Sequence, residues 1–311
     1  MQNNNEKSGE NAGVIQFSDT EKLLDIRYDN IFKAVFTKDT PASKGALSGL
    51  VSDLIQRKVT IETIIANEPP IDMIGNKRIR FDISCKAESG EKINIEMSFN
   101  PEPDELARLE YYHARLHAGQ SMTKSYNDLS ETYLIAIIGK EIVFKDNALF
   151  HEFYYYDRRN EISFNGKTRI ITVELEKSSR VLNKPVEEMK AHEKWAAFFQ
   201  YLTVVEKREI INEILINKKE IAMAGETLVT ISQDEREWVR LETELKNRND
   251  YISMQTNAIR KGLAEGRAQG FAEGKAEGRK EGQQEIMNLL DQGLSIEELK
   301  QRLNSERCAL D

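Results

Sequence analysis

Cysteine is nearly missing from the chain: Cys85 and Cys308 are the only two in 311 residues. Two thiols so far apart imply no disulfide framework, which excludes the small stapled secreted classes and fits a reducing compartment. Histidine is scarce too, at four residues. His113 and His117 are four apart, yet no Cys or third His stands nearby and no His-Glu-x-x-His occurs, so ordinary helix packing is the expectation for them rather than zinc. No apolar run is long enough to span a membrane. The opening Met-Gln-Asn-Asn-Asn-Glu-Lys lacks the basic-then-apolar form of a signal peptide. The expectation is a cytoplasmic protein with no membrane contact. Basic excess is also lacking: 44 Lys and Arg face 52 Asp and Glu, a net charge of −8. That argues against a general nucleic-acid coat, although a local basic groove can sit in an acidic whole. Prolines number six, and the apolar share of 40% suits a folded chain. No Ser-His-Asp constellation or nucleotide fingerprint is present.

What is present centres on residues 78–100. Ile79, Phe81, Ile83 and Cys85 alternate with Arg80, Asp82 and Ser84. Ile93, Ile95, Met97 and Phe99 alternate with Asn94, Glu96 and Ser98. Period two on both arms predicts a β-hairpin with one buried face. Glu88-Ser89-Gly90 fits a three-residue loop whose last position needs the left-handed backbone that glycine adopts freely. Pairing Ala87 with Glu91 then sets Cys85 against Ile93, Ile83 against Ile95 and Phe81 against Met97, apolar on apolar throughout. The same register sets Asp82 opposite Glu96. Directly opposed Cβ atoms lie about 4.5–5.5 Å apart. Two carboxylates that close repel unless a cation or a proton intervenes. Either a hard divalent ion such as magnesium or manganese resolves the conflict, or both acids face water beside Arg80 or Lys92.

These residues resemble the core of the PD-(D/E)XK nuclease superfamily, and more narrowly the bacterial recombination-promoting nuclease and transposase family. Asp29-Asn30-Ile31-Phe32-Lys33-Ala34-Val35-Phe36 is similar to that family's opening Asp-x-x-Phe-Lys-x-x-Phe block. Arg108, Tyr111-Tyr112 and Gln120 match its helix after the hairpin. Tyr126 and Tyr133–Ile138 match the next block. The resemblance spans roughly residues 25–180 and extends to the glycine-rich tail. It implies a restriction-endonuclease-like α/β core, a central mixed sheet flanked by helices, with a C-terminal helical extension. It also implies metal-dependent DNA hydrolysis linked to recombination or mobile DNA. Asp82, Glu96 and the main-chain carbonyl of Met97 would hold Mg2+ or Mn2+. Asp29 and Gln120 are additional site candidates, and Arg108, Arg115 and Tyr111 are candidate phosphate contacts. The chain departs from the family at one place. Ser98 stands where the family carries glutamine and the superfamily lysine, so Ser98 is the orienting residue by default and a catalytically silent DNA-binding or assembly protein is the competing expectation. Lys86 and Lys92 are the nearby lysines, but alternation puts them nearer the hairpin tip.

The rest of the chain divides by pattern. Residues 1–20 are polar and expected to be disordered. The nuclease-like domain takes 21–182. Within it Asp29 caps a helix with Phe32, Val35 and Phe36 on one face, and Leu47, Leu50, Val51 and Leu54 line a second helix over 43–57. The Glu68-Pro69-Pro70 connector is extended, and Asp104 starts a helix to about Ala118. Tyr133–Ile138 reads as a buried central strand, and Leu149–Asp157 as another with Arg158-Arg159 at its turn. Ile170–Glu176 reads as a strand whose Glu174 and Glu176 are solvated. Residues 183–260 form a helical extension through Trp195, Phe198, Phe199 and Leu202, then Ile210, Ile211, Ile214 and Leu215, then Trp238, Leu241 and Leu245. Residues 261–282 repeat glycine every fourth position from Gly262 to Gly282. Each mid-helix glycine costs about 0.8–1 kcal/mol relative to alanine. A Cβ-free ridge, however, lets another backbone approach. The segment is therefore either a flexible linker or a helix that orders on self-association or partner contact, the second favoured by Arg, Lys and Glu that can pair at i, i+4. Residues 283–311 form a small tail with Gly293 as a helix stop, a Ser295/Glu298 capping box, and Leu299 and Leu303 beyond it.

Overall fold

Thr40 begins the first well-capped helix, its side chain accepting the Ser43 N–H, with Pro41 at the first helical position where no N–H is needed. In the computed structural model, residues 15–65, 82–120, 125–164, 166–293, 295–298 and 300 are described. Ile79, Arg80, Phe81, the Glu68-Pro69-Pro70 connector, the Leu245 side chain, Leu299, Leu303 and Cys308 lie outside what is described. Helices α1 (Asp29–Thr37) and α2 (Pro41–Ile55) precede strand β1 (Ile61–Ile65). The hairpin follows as β2 (Ile83–Ala87) and β3 (Lys92–Ser98), then helix α3 (Glu105–Ala118) and strand β4 (Thr132–Ile138). Strands β5 (Phe150–Phe153), β6 (Tyr156–Asp157), β7 (Ile162–Ser163) and β8 (Thr168–Glu174) come next. Helices α4 (Ala191–Tyr201), α5 (Arg208–Asn217), α6 (Lys219–Gln233) and α7 (Glu235–Asp291) complete the chain. Two units divide it, Met1–Leu245 and Lys246–Asp311.

The first unit is built on a six-stranded sheet in the order β1-β2-β3-β4-β8-β5. Its centre, β3-β4-β8, is parallel, and the outer pairings are antiparallel. The hairpin pairs Ile83 with Ile95 and Cys85 with Ile93, the register that the apolar alternation specifies. Gly90 has φ +103° and closes the loop by donating to the Ala87 carbonyl at 2.9 Å. The chain turns out of β4 at Gly139, where a Cβ would lie 2.5 Å from the Phe99 carbonyl oxygen, so only glycine lets the ends of β3 and β4 approach there.

On β3 alternation predicts a polar face toward solvent, and the structure covers it instead, burying Asn94, Glu96 and Ser98. All seven residues of β4 are buried, as its continuous apolar run predicts. Tyr133, Ile135 and Ile137 enter the main core with α1, α2 and α4. Leu134, Ala136 and Ile138 pack under Leu109 of α3. Parallel strands sealed on both faces are the usual consequence of helical crossovers. Helices α4–α6 are not an appendage to this domain in packing terms: Trp195, Phe199, Ile214 and Leu228 lie in the same core cluster as Phe32 and Phe36. Trp195 and Phe199 stack at 5.6 Å between centroids, and Phe36 tilts against Trp195 at 6.0 Å. The buried indole N–H donates to Asp53 Oδ2 at 2.8 Å, as a buried tryptophan requires. Removing one such ring costs about 3–5 kcal/mol.

Four local expectations change. Phe17 is buried and clamped by Asn212, which accepts its N–H at 2.8 Å and donates to its carbonyl at 2.9 Å, so the polar N-terminal stretch is tied down from there. Asp29 is not the cap of α1; Tyr28 holds that position without a side-chain bond. The single strand expected over Leu149–Asp157 breaks after Phe153, and β6 turns into its own hairpin with β7. Glu174 is fully buried rather than solvated.

In the second unit, the glycine repeat is helical within α7, and a Cβ built at any of Gly262, Gly266, Gly270, Gly274, Gly278 or Gly282 meets nothing within 4 Å. Gly293 adopts φ +86°, and Ser295 and Glu298 cap each other reciprocally at 2.8 and 3.3 Å. Among the described residues no helix is long and apolar enough to cross a membrane.

Candidate active site

Asp82 immediately precedes β2, and Glu96 lies near the end of β3, so the hairpin register brings the two together. Asp82 N–H donates to Glu96 Oε1 at 3.3 Å, and Met97 N–H donates to Asp82 Oδ2 at 2.8 Å. Glu96 pairs in register with Ala136 and therefore points to the α3 side of the sheet. Its side chain is only 3% exposed and that of Asp82 13%.

Two cations converge on the pair from the flanking helices. Lys33 Nζ of α1 is 3.6 Å from Asp82 Oδ1. Arg108 Nη1 of α3 is 3.5 Å from Glu96 Oε2, and Glu105 at 2.7 Å fixes the same guanidinium. These cations do not neutralise the site fully. Burial, with the charge of Asp82 added, pushes Glu96 up to about 8 despite Arg108. Burial also raises Asp82 against the pull of the Met97 N–H and Lys33, with the charge of Asp29 adding to the rise. A buried pair of oxygen donors that binds protons this readily holds negative charge in excess, the donor chemistry that suits a hard divalent cation.

The other expected residues sort out by position. Asp29 is close enough for its charge to act on Asp82. Ser98 follows Glu96 on the same strand face, and its hydroxyl makes no hydrogen bond among the described residues. Met97 offers its N–H to Asp82, while its side chain is in the core. Arg108 is in the site, whereas Tyr111 is solvent-exposed and Arg115 lies further along α3. Gln120 is not brought to the acids. It exchanges two bonds with Ser130, at 2.9 and 3.1 Å, and so staples the loop that leads into β4. His113 and His117 both contact Thr132 at the start of β4, at 3.3 and 3.0 Å. Lys86 pairs with Glu62 at the far end of the hairpin, and Lys92 sits opposite Lys86, so neither replaces a lysine at the site. Lys33 was missed as a site residue although its signal was in the sequence. It follows Asp29 by four positions and shares its helix face.

A second cluster occupies the same sheet face two strands away. Asp146, His151 and Glu174 hold potential ligand atoms within 4.8 Å of one another. An internal cation already serves them. Lys177 pairs with Glu174 and, at 3.0 Å, with Asp146. Glu174 also accepts the N–H groups of Val143 and Phe144 at 2.7 and 3.2 Å. Hydrogen bonds from His151 and Lys177 hold Asp146 down at about 2. The network fastens the 143–148 loop to β8 and explains why a buried glutamate is tolerated there.

A mixed sheet with helices on both faces and paired acids on its hairpin defines a PD-(D/E)XK nuclease fold, a class whose nucleases use divalent metals. The model of the PD-(D/E)XK nuclease family transposases matches residues 26–258, most of the chain, and the protein belongs to that family. Neither curated proteins nor solved structures gave a match.

Proposed function

We propose that the protein is a divalent-metal-dependent DNA endonuclease acting in recombination or on mobile DNA, with Asp82 and Glu96 as its acids. The observation that carries this reading is the buried Asp82–Glu96 pair, joined by hydrogen bonds across the hairpin and faced by Lys33 and Arg108. Asp82 and Glu96 would hold Mg2+ or Mn2+, with the Met97 carbonyl as a further ligand. Such an ion supplies Lewis acidity toward the phosphate and a water acidic enough to attack it.

The chain's own groups divide the remaining work. Lys33 stands beside Asp82 and provides the cation that Ser98 cannot; from there it orients the attacking water and offsets charge gathering on the phosphate. Arg108, locked by Glu105, holds the Glu96 carboxylate in place. Ser98 contributes at most a hydroxyl hydrogen bond. Asp29 adds negative charge near the pair. The glycine ridge of α7 carries no catalytic groups and is the proposed surface for homo-oligomer formation.

Ser98 favours a second reading, a silent nuclease fold that binds DNA or organises an assembly. Calorimetric titration of Mn2+ separates the two. The endonuclease reading expects a saturable site lost in Asp82→Asn. Absence of that site from folded wild-type protein supports the silent fold. Installing Ser98→Gln, the family residue, should speed cutting where Ser98 limits it.

A further inference from the structure

The chain is acidic overall, at −8, yet one concavity reverses that sign. A cavity of about 1250 Å3 opens between the C-terminal half of α2, the 147–150 segment before and at the start of β5, the 3-10 segment after β8, and the start of α4. It is lined by seven Lys and Arg against three Asp and Glu. Both α2 and α4 pack on the face that holds Ile95 and Ile135, opposite the face that carries Glu96. The cavity shares no residue with the Asp82–Glu96 site.

Four of the seven cations are already engaged. Lys184 pairs with Glu193 at 2.6 Å and Lys218 with Asp53 at 3.0 Å. Arg57 and Lys177 reach acids outside the cavity. The other three, Lys58, Arg180 and Lys190, are exposed and form no ion pair among the described residues. Concave walls concentrate the field of such charges and draw in anions. The cavity also contains an aromatic pair. Phe150 and His192 stack with centroids 4.7 Å apart and planes at 28°. Burial lowers the proton affinity of His192, so its ring is neutral at pH 7 and serves as a flat surface rather than a charge. Uncommitted cations around a flat aromatic pair match a ligand with both phosphate and base. The volume exceeds the roughly 300–1,000 Å3 of small-molecule pockets, leaving room for more than one nucleotide.

We propose that this cavity is a second, metal-independent binding site for nucleoside phosphates, with Lys58, Arg180 and Lys190 on the phosphates and the Phe150–His192 pair against the base. Free nucleotides and a nucleic-acid strand share that chemistry. The site does not depend on the hairpin acids, so it stands or falls separately from the endonuclease reading.

The test is titration of the full chain with thymidine 5′-triphosphate by calorimetry and with a fluorescein-labelled single-stranded 12-mer by anisotropy, both in EDTA. The comparison variants are Lys58→Glu/Arg180→Glu/Lys190→Glu and, separately, Glu96→Gln. Binding of either probe that weakens at least tenfold in the triple variant and persists in Glu96→Gln supports the site. Binding of the triphosphate marks a free nucleotide, and binding of the 12-mer alone marks a strand. A salt slope near two for the strand follows from three phosphate contacts. Should the triple variant melt early, Arg180→Gln alone must still lower affinity and salt slope. No binding of either probe, equal binding by the triple variant, or equally tight binding of inorganic triphosphate overturns the proposal.

Discussion

Replacing Glu96 with glutamine should stabilise the metal-free protein at the pH where the enzyme would work. The side chain is buried, and its proton affinity is raised from 4.5 to about 8. A carboxyl group with a raised native pKa contributes its full stability below the unfolded value and loses it as pH climbs toward the folded one. Between pH 4.5 and 7.5 this amounts to at most about 4 kcal/mol, at 1.36 kcal/mol per unit. Coupling to Asp82 shares the titration, so about 2–4 kcal/mol is the working figure. Glutamine keeps the shape and an oxygen to accept the Asp82 N–H, and Arg108 keeps its partner Glu105. For a unit of this size about 1 kcal/mol moves Tm by 2–4 °C. Thermal melts in EDTA at pH 7.5 should therefore place Glu96→Gln about 4–16 °C above wild type, and the gap should close by pH 4.5. Added Mg2+ should raise the wild-type Tm at pH 7.5 and leave the variant unmoved. A wild-type Tm that is flat from pH 4.5 to 7.5, or a variant less stable than wild type at pH 7.5, would refute the reasoning.

Three further outcomes are expected. Lys33→Met should slow plasmid nicking by about 10²–10³-fold, the usual loss for one preorganised charge donor, while the Mg2+-induced rise in Tm persists; an unchanged rate removes Lys33 from the chemistry. Gln120→Ala should cost about 1–3 kcal/mol by leaving the Ser130 groups unpaired, with unaltered Mn2+ affinity by calorimetry. Gly266→Leu/Gly270→Leu/Gly274→Leu should lower the oligomeric mass measured by light scattering without loss of helix content by circular dichroism, since nothing in α7 itself blocks a side chain there.

The hairpin and its acid pair were legible because two local signals agreed. Gly90 fixed the loop, and apolar alternation fixed which residues face one another. The buried β4 and the capping box at Ser295 were legible for the same reason, being written in short stretches. What escaped notice was long-range. Alternation identifies two faces but does not tell a solvated face from one covered by a helix, so Glu174 was misplaced and Lys177, three residues on, had no visible purpose. Lys33 reaches Asp82 only because α1 packs beside the hairpin, a contact across about fifty residues. Helices α4–α6 looked like an extension because their apolar faces name no partner; Phe32 and Phe36 turn out to be that partner. Strand β1, a short Ile/Thr run ahead of the connector, carries mostly exposed residues and so little core signal.

The most direct measurement is the conversion of supercoiled plasmid to nicked and linear forms by purified protein with Mg2+, Mn2+ or EDTA, run beside Asp82→Asn and Glu96→Gln. Cutting that requires the metal and disappears in both variants is the predicted result. Cutting that survives either substitution, or none by folded wild-type protein with either metal, would contradict the assignment of Asp82 and Glu96 as the acids of an active endonuclease.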